Sequence, residues 1–242
     1  MDGLKDKTAL VTGAAGGIGK AIVNALQGKG VVVTGVDVRD SDADHSIVGD
    51  LSDGAFCDRL PELVSLKSGR LDILVNNAGI ITRGKITEAT DEDFARSMCI
   101  NVEVPFRLCR AAIPIMTGNG GGAIVNVASC WGVHPGPNHP IYVMSKAALA
   151  SLTQCLGMDH ARENIRVNAV CPNEVNTPMI RTGFETRGLD PQQAIDALNA
   201  SVPLGRIAEP EDIADVVVFL ASDQARYLCG TLIEANGGKP VQ

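Results

Sequence analysis

The sequence predicts one α/β domain, a parallel sheet doubly wound with helices on both faces. Three observations carry this: apolar runs that read as buried strands recur along the chain, helically periodic stretches separate most of them, and a glycine-rich turn joins the first strand to the first helix. A chain of 242 residues fits one large domain better than two small ones, and 45 % hydrophobic with 20 % charged content is that of an ordinary globular protein.

In chain order, the candidate strands are residues 9–12, 31–36, 71–76, 123–128, 166–171 and 232–235. Residues 37–44 are polar and too few for a crossover helix, so a loop is expected there, ahead of "HSIVGDLSD". A helix over 91–104 opens with Thr90 and Asp93 in capping-box spacing; a late one opens at Glu209-Pro210-Glu211-Asp212, with proline and acids in its first turn. Residues 176–203 lack strand logic, are rich in Thr, Gly and Pro at their start and turn helical around 191–200. They are expected to form an insertion covering the site, which in such a fold lies at the carboxyl ends of the strands.

Composition excludes several function classes. A net charge of −7 without a Lys/Arg cluster argues against nucleic acid. No apolar run approaches the roughly 18–20 residues needed to span a bilayer, and the first residues lack the basic-then-apolar order of a secretory leader. A cytoplasmic protein with a small-molecule partner is expected. The cysteines at 57, 99, 109, 130, 155, 171 and 229 form neither a CxxC pair nor a zinc-like Cys/His spacing, so buried reduced thiols and no metal are expected.

Glycines 13, 16, 17 and 19 stand at the first strand-to-helix junction in GxxxGxG order. Glycine there permits a tight turn and close approach of a pyrophosphate to free helix N–H groups; simple packing is the competing explanation. Asp37 ends the second strand, where an acid can accept from adenosine ribose hydroxyls and repel a 2′-phosphate. NAD is therefore expected, although the neighbouring Arg39 could receive such a phosphate.

Tyr142 and Lys146 lie one helical turn apart and can meet one ligand. A phenol titrates near pH 10, so it needs a drop of roughly 2–3 units to trade protons near neutrality. An ammonium supplies the right sign. A lone YxxxK is commonly just a half-buried ring beside a solvated lysine, but here Ser129 closes a strand at its carboxyl edge, where its hydroxyl can hold a substrate oxygen. "LVNNAGI", residues 74–80, ends another strand in two amides and a glycine suited to tying strand ends and flooring a ribose. Asn101 is poorly placed for a helix interior.

The set Thr12–Gly19 (TGxxxGxG), Asn76–Gly79 (NNAG), Asn101, Ser129 and Tyr142-xxx-Lys146 resembles the short-chain dehydrogenase/reductase family, over essentially the whole chain to "GTLIEANGG". The resemblance implies a single Rossmann-fold domain with a seven-stranded parallel sheet, usually a homotetramer. It implies Tyr142 as catalytic acid/base, Lys146 as ribose ligand and phenol activator, Ser129 as orienter of the reacting oxygen and Asn101 as holder of a relay water. It places Gly13, Gly17, Ile18 and Gly19 at the pyrophosphate; Asp37, Asp50 and Leu51 at the adenosine; Asn77, Ala78 and Gly79 at the ribose; and Val175 and Thr177 at the carboxamide. Gly16 stands where NADP-preferring relatives often carry a basic residue.

One departure concerns Pro172-Asn173-Glu174-Val175-Asn176-Thr177, where the family usually has P-G-x-V-x-T. Asn173 and Glu174 either bind substrate hydroxyls or turn outward. Trp131, His134 and His139 are expected along one pocket wall, with Arg83 following the NNAG turn. These residues suggest a compact polar or cyclic substrate, such as a sugar acid, polyol or cyclic alcohol. The alternatives are reduction of 3-oxoacyl groups on a carrier protein and a non-catalytic dinucleotide sensor. The small residues Ala147, Ala148, Ala150 and Ser151 would let another helix pack closely, in the tetramer or on the sheet.

Overall fold

The computed structural model describes residues 3–239. Seven parallel strands form one sheet in the order β3-β2-β1-β4-β5-β6-β7. They are β1 (Thr8–Thr12), β2 (Val32–Asp37), β3 (His45–Val48), β4 (Ile73–Asn76), β5 (Gly122–Val127), β6 (Ile165–Pro172) and β7 (Leu232–Ala235). The apolar runs become strands because both faces are covered: Ala9 and Val11 of β1 join one core, Leu10 the other, and all are fully buried.

On one face lie α1 (Gly17–Gln27) and α9 (Pro210–Ala221), whose Ile22, Leu26, Val217 and Leu220 join the Ala9 side. On the other, α2 (Gly54–Ser68) and α4 (Val104–Gly118) bury Leu60, Val64, Leu108 and Met116 with Leu10. The connection order reverses between β1 and β4, so the carboxyl ends of these strands flank the crevice where such folds hold ligands.

Three expectations need correction. The loop expected ahead of His45 is present at residues 38–44, but β3 follows it in a segment given no element; it is an edge strand with alternating burial. The helix expected over 91–104 is α3 (Asp91–Met98), with the expected Thr90/Asp93 box, followed by a π-helical turn, Cys99–Glu103, before α4. The cysteines are all free, but Cys155 and Cys229 are exposed and Cys99 half-buried.

The remaining helices are α5 (Cys130–Val133), α6 (Pro140–Asp159), α7 (Pro178–Glu185) and α8 (Pro191–Ser201). Residues 176–203 thus carry two helices rather than one. With Ile207 they enclose a small core, Phe184, Ile195 and Val202. Among the described residues, no helix is long and apolar enough to cross a membrane.

Candidate active site

The turn after β1 is built on backbone that only glycine tolerates. Gly13 adopts φ +66°, and a β-carbon on Gly19 would overlap the Gly13 carbonyl. Thr177 lies over Gly17 so closely that a β-carbon there would meet Thr177 Cγ2 at 3.0 Å, which brings the segment after β6 onto the turn. Asp37 accepts from the backbone N–H of Ala15 at 3.1 Å and of Arg39 at 3.2 Å, while Arg39 Nη2 donates to the Ala15 carbonyl at 3.3 Å. The β2 acid therefore pins the turn as well as facing it. Asp50 is exposed and accepts from Ser52 N–H at 2.8 Å, which holds its carboxyl below the ordinary range; Leu51 beside it is buried.

Asn76 and Asn77 tie strand ends together. Asn76 Nδ2 donates to Asn126 Oδ1 at 2.8 Å on β5, and Asn77 Nδ2 to the Thr12 and Gly13 carbonyls at 2.9 and 3.1 Å on β1. The N–H groups of Asn77 and Ala78 both reach Thr12 Oγ1 at 3.1 Å. With its amide engaged in this way, Asn77 shapes the floor of the crevice rather than projecting a side chain into it.

The catalytic candidates converge at the carboxyl ends of β4 and β5. Ser129 caps α5, its Oγ accepting from Trp131 N–H at 3.2 Å. Lys146, 4 % exposed, donates from Nζ to the Val127 carbonyl at 2.8 Å. A β-carbon on Gly79 would lie 3.2 Å from that Nζ and 3.3 Å from Asn101 Oδ1, so the glycine opens the space in which the two groups meet. Asn101 is fully buried in the π-helical turn. Its Oδ1 accepts from Ile80 N–H, and its Nδ2 donates to the Ile80 carbonyl and to Ser145 Oγ, each at 2.9 Å. Ser145 passes the chain on to the Tyr142 carbonyl at 2.8 Å. The widened turn explains why an asparagine ill suited to a helix interior stands there.

Burial pushes the Tyr142 phenol above its usual value, opposed by the facing Ser129 hydroxyl and then by the Arg83 cation. Lys146 is not among the groups that lower it. Burial instead brings Lys146 itself down to about 8. Its Nζ is turned to the Val127 carbonyl.

Trp131 and His139 pack edge to face, centroids 4.4 Å apart. His134 instead reaches Glu234, 3.0 Å away on β7. Asn173 and Glu174 line a separate cavity of about 250 Å³ with residues 202–212 and 234–237, which Ser129, Trp131 and Tyr142 do not border. There Glu174 pairs with Lys239 at 2.8 Å. Val175 is buried and paired to Ala208 by an isolated bridge.

Against known proteins, residues 13–239 match a family model described as enoyl-(acyl carrier protein) reductase. A 3-oxoacyl-[acyl-carrier-protein] reductase of Thermotoga maritima is 34 % identical over 97 % of this chain and 98 % of its own. The chain belongs to the short-chain dehydrogenase/reductase family. Within that family, ligand-free aldohexose dehydrogenase of Thermoplasma acidophilum superposes with a TM-score of 0.94 at 31 % identity, covering 99 % of this chain and 96 % of that one. A 3-ketoacyl-(acyl-carrier-protein) reductase of Brucella melitensis complexed with NADH gives 0.89 at 30 % identity, covering 99 % and 100 %.

This short-chain dehydrogenase/reductase is thus an oxidoreductase of a family that binds nicotinamide dinucleotides, and its own residues fit one. Gly13, Gly17 and Gly19 leave the turn bare where β-carbons would intrude, and Gly79 leaves room beside Lys146. Sequence reasoning missed Ser145 and Arg187. Ser145 stands three residues after Tyr142 on one helix face, a spacing that could have found it. Arg187 offered no local signal, since only the tertiary fold brings it to the site.

Proposed function

We propose that this chain is an NAD-dependent oxidoreductase interconverting a secondary alcohol and a ketone on a small polar molecule, such as a sugar acid, polyol or cyclic alcohol. The observation that carries the reading is the Ser129 hydroxyl facing the Tyr142 phenol, with the Lys146 ammonium one helical turn on from that phenol and beside Gly79. In this reading the Ser129 hydroxyl holds the substrate oxygen. Tyr142 takes the alcohol proton during oxidation and returns it during reduction. When bound, the dinucleotide supplies hydride chemistry. Lys146 holds the ribose hydroxyls, and Asn101 keeps Ile80 and Ser145 in register around that lysine. Trp131 and His139 form the substrate wall.

Gly13, Gly17, Ile18 and Gly19 would cradle the pyrophosphate, Asp37, Asp50 and Leu51 the adenosine, Asn77, Ala78 and Gly79 the ribose, and Val175 and Thr177 the carboxamide. NAD is favoured over NADP because Asp37 opposes a 2′-phosphate and Gly16 offers no cation, while Arg39 is engaged with the Ala15 carbonyl. Reduction of 3-oxoacyl thioesters is the second reading, favoured by the similarity to the Thermotoga maritima reductase. A non-catalytic sensor would have no use for the phenol.

The chain is further proposed to act as a cytoplasmic homotetramer. Its cysteines are free thiols suited to a reducing compartment, and Phe106 on α4, Met144 and Met158 on α6 and Tyr227 (98 % exposed) offer apolar surface to other subunits. Light scattering tests the assembly. Screening sugar acids, polyols, cyclic alcohols and acyl thioesters with NAD and NADP, by absorbance of the reduced nicotinamide, tests the activity. Oxidation of a secondary alcohol with NAD supports the leading reading; turnover of thioesters alone replaces it.

A further inference from the structure

Two arginines crowd the mouth of the site without a carboxylate between them. Arg83 follows the NNAG turn, and its guanidinium rests on Gly183 of α7: a β-carbon there would lie 2.5 Å from Nη2 and 2.9 Å from Cζ. Arg187 reaches the same glycine from the end of α7. Its Nε donates to the Gly183 carbonyl at 2.8 Å, and its Cζ stands 4.9 Å over the Phe184 ring. Neither arginine has an ion-pair partner among the described residues.

The Arg83 loop is also tied to the segment between Trp131 and His139, because Gly84 N–H donates to the Asn138 carbonyl at 2.8 Å. Burial, then repulsion from Arg187, holds the Arg83 guanidinium below its ordinary range. His139 is held low mainly by burial, opposed by the Pro137 carbonyl, and is pushed further by both guanidiniums. Asp93 shares a cavity of about 320 Å³ with Arg83 and Arg96, but its carboxylate accepts from Thr90 Oγ1 at 2.8 Å in the α3 cap.

Like charges gathered on a partly desolvated face repel, and an anion set between them reverses the sign of that interaction. Guanidinium forks suit an oxyanion in geometry as well as charge. We propose that the substrate carries a carboxylate or equivalent oxyanion, gripped by Arg83 and Arg187 while its reacting carbon faces Tyr142; this rests on the dehydrogenase reading above. Arg83 comes from the frame after β4 and Arg187 from the covering segment, so the acid bridges the two.

The test compares matched probes on the full chain with NAD: gluconate against gluconamide, 3-hydroxybutyrate against 3-hydroxybutyramide, and 2-hydroxypropanesulfonate and glycerol 3-phosphate as other oxyanions. Wild type, Arg83→Gln, Arg187→Gln and Gly183→Ala are assayed, and calorimetry measures binding of each probe to the protein with NADH. Wild type is expected to prefer the acids at least about tenfold, mostly through KM, and each substitution to lower the acid-to-amide ratio about tenfold. The best oxyanion identifies the acidic group. Equal use of acid and amide by wild type, or a preference that survives both arginine substitutions, overturns the proposal. If no alcohol is oxidised, the dehydrogenase reading fails, and calorimetry decides alone: arginine-dependent acid binding keeps the anion site, and its absence removes it. Turnover of a 3-oxoacyl carrier-protein thioester with an arginine-dependent KM would assign the pair to carrier docking and overturn the small-acid proposal.

Discussion

The glycine turn and the catalytic cluster lie at the carboxyl end of the same sheet but treat their polar groups in opposite ways. Around the turn, donors and acceptors satisfy one another: Asp37 holds Ala15 and Arg39, Asn77 holds Thr12 and Gly13, and Thr12 Oγ1 receives two N–H groups. Around Tyr142, charge is held against its preference. Lys146 is depressed by burial, the phenol is raised by burial, and two guanidiniums share Gly183 with no ion-pair partner among the described residues. The first region holds its own shape through these bonds and leaves the uncapped first turn of α1 for a ligand. The second stores unfavourable electrostatics that a bound anion and cofactor can relieve.

That contrast can be broken by substitution. Lys146→Met is expected to lower turnover by about 10²- to 10⁴-fold while making the unliganded chain more stable. Shifting an ammonium from 10.5 to about 8 opposes folding by about 3 kcal/mol near pH 7, offset by about 1 kcal/mol from the Val127 bond. The sign with pH follows. Between about 8 and 10.5 the unfolded chain binds more protons at this group, so wild-type stability gains as pH rises. The raised Tyr142 stabilises fully below its ordinary value near 10 and loses that contribution only above it. Urea melts should therefore show the gap between Lys146→Met and wild type narrowing from pH 8 toward 10. A variant less stable than wild type at pH 7 would contradict stored strain at this site.

Gly19→Val strikes the self-satisfied region and should act in the opposite sense. Overlap with the Gly13 carbonyl is expected to remove about 1–3 kcal/mol of stability and to abolish NADH binding, read by urea melts and fluorescence titration. Asp37→Ser sharpens the comparison more gently. It should improve NADP relative to NAD by about tenfold, near 1.4 kcal/mol, in the ratio of kcat/KM values. Glu174→Gln should change least, under about 1 kcal/mol in urea melts because its pair with Lys239 is partly exposed, with KM unaltered. A raised KM there would return Glu174 to the substrate site.

The same contrast explains what was legible in the sequence. Buried strands announce themselves by continuous apolar runs, and the glycine turn by residues whose backbone geometry no other type can adopt, so β1, β4, β5 and the cradle could be read locally. β3 could not, because an edge strand of four residues alternates in burial and joins β2 through too little chain to suggest a crossover. The grouping of Ser129, Tyr142 and Lys146 was legible through helix and strand spacing. The orientation of Nζ toward Val127 was not, since it depends on what β5 presents. Arg187 and Arg83 meet only when α7 folds over the site, and no periodicity records that.

The most direct measurement is single-turnover nicotinamide reduction by Tyr142→Phe, using the best secondary alcohol from the screen at saturating NAD, alongside NADH affinity. Tyr142 as the proton acceptor requires affinity near wild type and a rate lower by at least about 10²-fold. A variant that binds NADH normally and reduces NAD at the wild-type rate would contradict the assignment of that phenol as the acid/base.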